Sequence, residues 1–231
     1  MTRTHVLTGA SSGIGAALAR RLAGRGDRLV LVARSAARAA ELETDHPGSM
    51  TVVADLAAPE SIAAAVADAD LPAEVDSVVH AAGIVELGAV ADLDVGAWTR
   101  QLTVNLVAAA ELTRVLLPRV RARRGQIVFI NSGAGLSTHP QWTAYAASKH
   151  GLKALADGLR GEEAPHGVRV SSIYPGRTAT PMQEEVHRQE GAAYDPSRFI
   201  DVESVVAAVL VALDAAPDAA LTDITVRPGP R

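Results

Sequence analysis

The chain has no cysteine. Disulfides, thiolate catalysis and cysteine-ligated zinc are therefore excluded. Aromatic residues make up only 3% of 231 positions, so the core must be built mostly from Ala, Val, Leu and Ile. Lysine occurs only at Lys149 and Lys153. No run approaches the ~18–20 apolar residues of a membrane span. The opening MTRTHVLTG lacks the long apolar stretch of a signal peptide and already reads as a strand. A soluble cytoplasmic protein without a membrane partner is expected. There is no excess of positive charge: the formal net charge is -4, which argues against nucleic acid. The seven histidines form no metal-ligand spacing, so no metal is expected.

What is present is ordinary for a globular protein, with 48% hydrophobic and 21% charged residues. Short β-branched runs cover 5–8, 28–33, 50–54, 77–80, 126–131, 168–174 and 221–226. Most show little polar alternation, as strands buried on both faces should. Ala/Leu-rich helical stretches fall between them at 14–25, 36–44, 59–67, 95–123, 144–164 and 202–215. Pro59 suits a first helical position, and Gly125 and Gly167 stand where helices should stop. The alternation predicts an α/β fold: a Rossmann-type, doubly wound, seven-stranded and mostly parallel sheet with helices on both faces. No linker or repeat divides the chain, so one domain over 1–231 is expected. The stretch 177–200 reads as polar, irregular and overlong for a connection, which makes it a candidate substrate-binding loop or lid.

The first strand runs into Gly9-Ala10-Ser11-Ser12-Gly13-Ile14-Gly15, and a helix follows. Glycines allow a tight turn and a close approach to a pyrophosphate, and the helix N-terminus offers free N–H groups. The second strand ends in Ala33-Arg34-Ser35 with no acid. A carboxylate there would hold the ribose 2′-hydroxyl of NAD, whereas a guanidinium pairs with a 2′-phosphate. NADP(H) is therefore preferred over NAD(H), with Ser11, Ser12 and Ser35 as further donors. Tyr145 and Lys149 are four residues apart on one helix face, where the ammonium is expected to lower the phenol's pKa. Ser132 lies just past a strand end, in reach of a ligand crevice, where its hydroxyl can bond a carbonyl oxygen.

With these motifs in this order, the chain resembles the short-chain dehydrogenase/reductase family in its short form, over nearly its whole length. The resemblance implies a catalytic set of Asn105, Ser132, Tyr145 and Lys149. It also implies that Asp55-Leu56 flank the adenine and that Pro175, Gly176 and Thr178 hold the nicotinamide. The family's Asn-Ala-Gly element appears as Ala81-Ala82-Gly83. Backbone contacts of Ala82 and Gly83 to the cofactor should survive, but a side-chain tie within the sheet is expected to be lost. His139, Gln141 and Trp142, between Ser132 and Tyr145, are candidate pocket residues, with Met182 and Val85 beside them. His80 reads as a packed strand-end residue. The arginines at 119, 121, 123 and 124 end a helix, where cations complement its dipole. The implied activity is reduction of a carbonyl, or oxidation of a secondary alcohol, on a small to medium organic molecule. A homodimer or homotetramer is implied too. A non-catalytic NADP(H)-binding sensor or scaffold is the rival reading, and a cofactor-recycling epimerase or dehydratase a third.

Overall fold

The computed structural model describes residues 2–230. Seven strands form a single sheet: β1 (Thr4–Thr8), β2 (Arg28–Ala33), β3 (Met50–Val53), β4 (Ser77–His80), β5 (Gln126–Ile130), β6 (Arg169–Pro175) and β7 (Asp223–Val226). Their order is β3-β2-β1-β4-β5-β6-β7, and every pairing is parallel. Each strand thus needs a crossover, and helices supply it on both faces.

Alternate residues of a strand point to opposite faces, and the core divides accordingly. Leu7, Leu29, Leu31, Val79, Val128 and Ile130 face one layer. That layer is completed by helices α1 (Gly13–Gly24), α2 (Ala36–Asp45) and α8 (Val202–Leu213). Val6, Val30, Val78, Ile127 and Phe129 face the other. There they meet α3 (Ile62–Asp68), α5 (Ala108–Arg123) and α6 (Thr143–Glu163). Burying each Leu or Val contributes on the order of 1.5–3 kcal/mol. No helix among the described residues is long and apolar enough to cross a membrane.

Three local expectations are corrected. The stretch 95–123 is not one helix. α4 (Val95–Leu102) passes into a π-helical turn, Thr103–Val107, before α5 begins. A single π turn in an α-helix is commonly tied to a functional position. The first helix stop is made by Arg124, which adopts the left-handed conformation (φ 49°), rather than by Gly125. The segment 177–200 is not irregular: it carries a ten-residue helix, α7 (Pro181–Glu190). Its base is closed by a bridge between Thr178 and Ile200, with Ala179 N–H donating to the Ile200 carbonyl and Ile200 N–H to that of Arg177.

The chain begins mid-sheet, winds outward to β3, then returns to lay β4 on the other side of β1. The crevice at such a switch point, beyond the carboxyl ends of the strands, is where open α/β sheets bind ligands.

Candidate active site

The loop after β1 forms a bare cradle. Gly9 has φ 72°, and a Cβ there would lie 2.7 Å from the Ala82 nitrogen; one on Gly15 would overlap the Gly9 carbonyl oxygen. Ser12 caps α1 with extended backbone but makes no side-chain cap bond, and no acid sits in the first turn. The leading N–H groups of α1 are thus left for an anion. Residues Gly9, Ser11, Ser12, Gly13, Ile14 and Gly15 all belong to this loop and first turn. Ala82 and Gly83 adjoin it across the switch point. Thr8 Oγ1 accepts from the N–H groups of both Ala81 and Ala82, at 3.1 and 3.0 Å. The backbone of this element is thus tied to the end of β1.

At the outer rim, Arg34 is exposed at the end of β2. Ser35 caps α2 by accepting from Arg38 N–H at 3.3 Å. Asp55 accepts from Ala57 N–H through Oδ1 at 2.9 Å, which orders the turn holding Leu56.

The four polar residues of the resemblance converge beyond β4 and β5. Tyr145 and Lys149 stand one turn apart on α6, both buried. Ser132 follows β5, and its Oγ accepts from Ala134 N–H at 3.1 Å. Ser132 and Tyr145 line one cavity, and Ser132 is the neighbour that eases ionisation of the phenol. Lys149 Nζ donates to the Ile130 carbonyl at 3.1 Å and lies 5.9 Å from the Tyr145 ring centroid. Burial disfavours the charged form of both groups. The Tyr145 phenol is pushed up to about 12, opposed only by Ser132. The Lys149 ammonium is pushed down to about 8. The expected depression of the phenol by the lysine does not appear among these causes, and desolvation sets the direction of the shift.

Asn105 sits in the π turn. Its Oδ1 accepts from Ile84 N–H at 2.8 Å, and its Nδ2 donates to the Ile84 carbonyl at 2.9 Å and to Ser148 Oγ at 3.0 Å. Ser148 in turn donates to the Tyr145 carbonyl at 2.7 Å. Ser148 was not singled out in the sequence, although its place between Tyr145 and Lys149 on one helix was the available signal.

A cavity of about 480 Å³ opens over Ser132 and Tyr145. Ile14, Pro175, Gly176 and Thr178 bound it on the cradle side. Val85, His139, Trp142 and Met182 also line it. Gln141 is not in this lining. It is exposed, with φ 68°, and its carbonyl accepts from Gly88 N–H at 2.8 Å, so its backbone shapes the turn instead. α7 adds Gln183, Val186 and Glu190 to the wall. Two arginines complete it. Arg177 stands 5.5 Å from the Trp142 ring and pairs with Glu190 through two hydrogen bonds, and Arg227 follows β7. His80 lies below, buried and stacked on Phe129 at 4.9 Å, with Nε2 at 2.8 Å from Thr113 Oγ1; it is a packing residue.

Comparison with known proteins agrees with this geometry. Residues 3–191 match the short chain dehydrogenase family. An uncharacterized oxidoreductase of Staphylococcus saprophyticus is 30% identical over 98% of this chain and 97% of its own length. The D-beta-hydroxybutyrate dehydrogenase of Rhizobium meliloti is 36% identical, covering 80% of this chain and 75% of that protein. A short chain dehydrogenase from Escherichia coli, solved in complex with NADPH, superimposes with a TM-score of 0.86 at 26% identity, over 98% of this chain and 97% of that one. The chain belongs to the short-chain dehydrogenase/reductase family of oxidoreductases, which bind a nicotinamide cofactor.

Proposed function

We propose that the protein is an NADP(H)-dependent reductase of a carbonyl group, running in reverse as a secondary-alcohol dehydrogenase. The observation that carries this reading is the Ser132–Tyr145 hydroxyl pair at the floor of a cavity whose far wall leads into the glycine cradle. The bare α1 N-terminus and the absence of side chains at Gly9 and Gly15 fit a pyrophosphate. Pro175, Gly176 and Thr178 then hold the nicotinamide end, and Asp55 and Leu56 border the adenine. Arg34, exposed and without a neighbouring acid at the end of β2, favours a 2′-phosphate over a bare hydroxyl. When bound, the cofactor supplies or accepts the hydride.

The chain's own residues handle the proton and the geometry. Ser132 donates to the substrate's carbonyl oxygen and fixes its direction. Tyr145, kept protonated by burial, delivers its proton to that oxygen as hydride reaches the carbon. Lys149, buried beneath it and anchored to the Ile130 carbonyl, offers remaining N–H groups to the nicotinamide ribose and its positive charge to the phenolate left behind. Asn105 spends its side chain on Ile84 and Ser148, so its part is to hold the wall and the Tyr145 turn in register. Residues 177–200, with α7, act as the substrate lid of the single domain. A homodimer or homotetramer is proposed from the exposed Val95 and Val211, and light scattering tests it.

The test is NADPH and NADH consumption over a panel of ketones, aldehydes and quinones. Tyr145→Phe should lower turnover by about two to four orders of magnitude while NADPH binding persists. Arg34→Asp should shift preference toward NADH. Unchanged turnover in Tyr145→Phe would refute the mechanism. Absence of turnover on every substrate, with tight NADPH binding, would favour a cofactor-binding sensor.

A further inference from the structure

We infer that the substrate carries a carboxylate, and that Arg227 is the residue that selects it. This rests on the reductase reading above and narrows its substrate class to oxo acids.

Three fully charged side chains line the cavity. Two cancel: Arg177 and Glu190 pair at 3.0 and 2.5 Å. Arg227 has no ion pair among the described residues. The register Pro175↔Val226 brings Arg227 level with Gly176, just beyond the sheet. From there its guanidinium reaches across the end of β6 to Gly133, the residue after Ser132. Its Nη1 lies 2.6 Å from where a Gly133 Cβ would stand, so the exposed guanidinium rests in the space that glycine leaves open. A lone cation thereby lies at the residue next to the hydroxyl that would bind the carbonyl oxygen. Val85, Trp142 and Met182 give the same cavity apolar lining, which suits a short alkyl chain.

The cofactor's pyrophosphate does not account for this cation. The cradle follows β1, and β7 is four strands away in the sheet. At ~4.8 Å per strand that is roughly 19 Å. A carboxylate fits better than a phosphate dianion, because one guanidinium offers a two-pronged match to a single negative charge.

The experiment compares a homologous series of straight-chain oxo acids, each beside its methyl ester, as NADPH-dependent substrates. The wild type should prefer at least one acid over its ester by about tenfold or more in kcat/KM, the usual scale for a charge-assisted bond. Arg227→Leu should bring that ratio close to one, and Arg227→Lys should retain part of it. An acid-to-ester ratio near one in the wild type, or an unaltered ratio in Arg227→Leu, would overturn the inference. So would a loss of NADPH affinity in Arg227→Leu that matches the loss of activity, since it would assign the guanidinium to the cofactor. Should neither acid nor ester be reduced, the reductase reading fails separately. Fluorescence of Trp142, which lines the cavity, then still decides: tighter binding of acid than ester, lost in Arg227→Leu, supports the carboxylate site, and equal binding rejects it.

Discussion

Thr8 heads the glycine-loop motif, and at the end of β1 it does work that the motif's glycines do not. Its hydroxyl oxygen accepts two N–H groups, of Ala81 and Ala82, in the bend that borders the cofactor cradle. Thr8 is buried, so Thr8→Val would leave both donors unpaired in a dry place. A buried unsatisfied donor costs ~1–3 kcal/mol. Thr8→Val should therefore lower stability by about that amount or more in urea unfolding, and should weaken NADPH binding, while Thr8→Ser should retain most of both. A Thr8→Val protein as stable as the wild type would remove the tie from the account. The residues to which chemistry is proposed were legible because such chemistry demands particular types at particular spacings. Tyr145 and Lys149 at four residues apart are an example. Arg227 and Ser148 were not legible. One acts by reaching across two strand ends, the other by linking a helix to a π turn, and neither relation exists in the linear chain.

At the scale of elements, α7 is the instructive case. Thr180 accepts from Gln183 N–H, Pro181 takes the first helical position and Gly191 closes the helix at φ 65°. These start and stop signals were in the sequence, but the polar composition hid them. By contrast, the break between α4 and α5 has no local signal, because the π turn is bought by tertiary bonds from Asn105 to Ile84. The last turn of α7 is fastened to the segment across the cavity. Gln189 accepts from Leu87 N–H at 2.7 Å and donates to the Val85 carbonyl at 3.3 Å. Removing it should loosen α7 without unfolding the sheet. Gln189→Ala is expected to be cut several-fold faster by protease within 177–200, with its global unfolding midpoint nearly unchanged. Equal cleavage rates would mean that the Arg177–Glu190 pair alone holds α7.

The whole molecule is organised by one rule, alternation of strand and helix, and that rule was fully visible in the sequence. Every strand and its approximate limits could be read from apolar runs bounded by turns, since the central strands are buried on both faces, while the edge strands β3 and β7 are partly exposed. Its response to acid follows from what that burial does to histidine. His80 is held down to about 3 and His5 is also lowered, in both cases chiefly by burial, against an unfolded value of 6.5. The unfolded chain thus binds more protons below pH 6.5. The stability these two contribute is complete above that pH and declines as the pH falls toward 3. Asp157, Asp214 and Glu163, held low by their arginine or lysine partners, add a further loss only below about 4.5. Urea midpoints should fall steadily between pH 6.5 and 4.5, with His80 supplying up to ~1.4 kcal/mol per pH unit. His80→Gln should flatten this slope, and an unaltered slope would place the acid sensitivity elsewhere.

The bridge between Thr178 and Ile200 has a consequence for how the protein can change. It makes the two ends of the proposed lid neighbours in space, so the twenty or so residues between them enter and leave the sheet through one doorway. Closing a longer loop at such a doorway costs little, since the entropy grows only with the logarithm of its length. The span 179–199 and the proposed catalytic floor are thereby separable inheritances. A different span can be spliced in at this point and present new walls to the cavity, while Ser132, Tyr145 and the cradle keep their places.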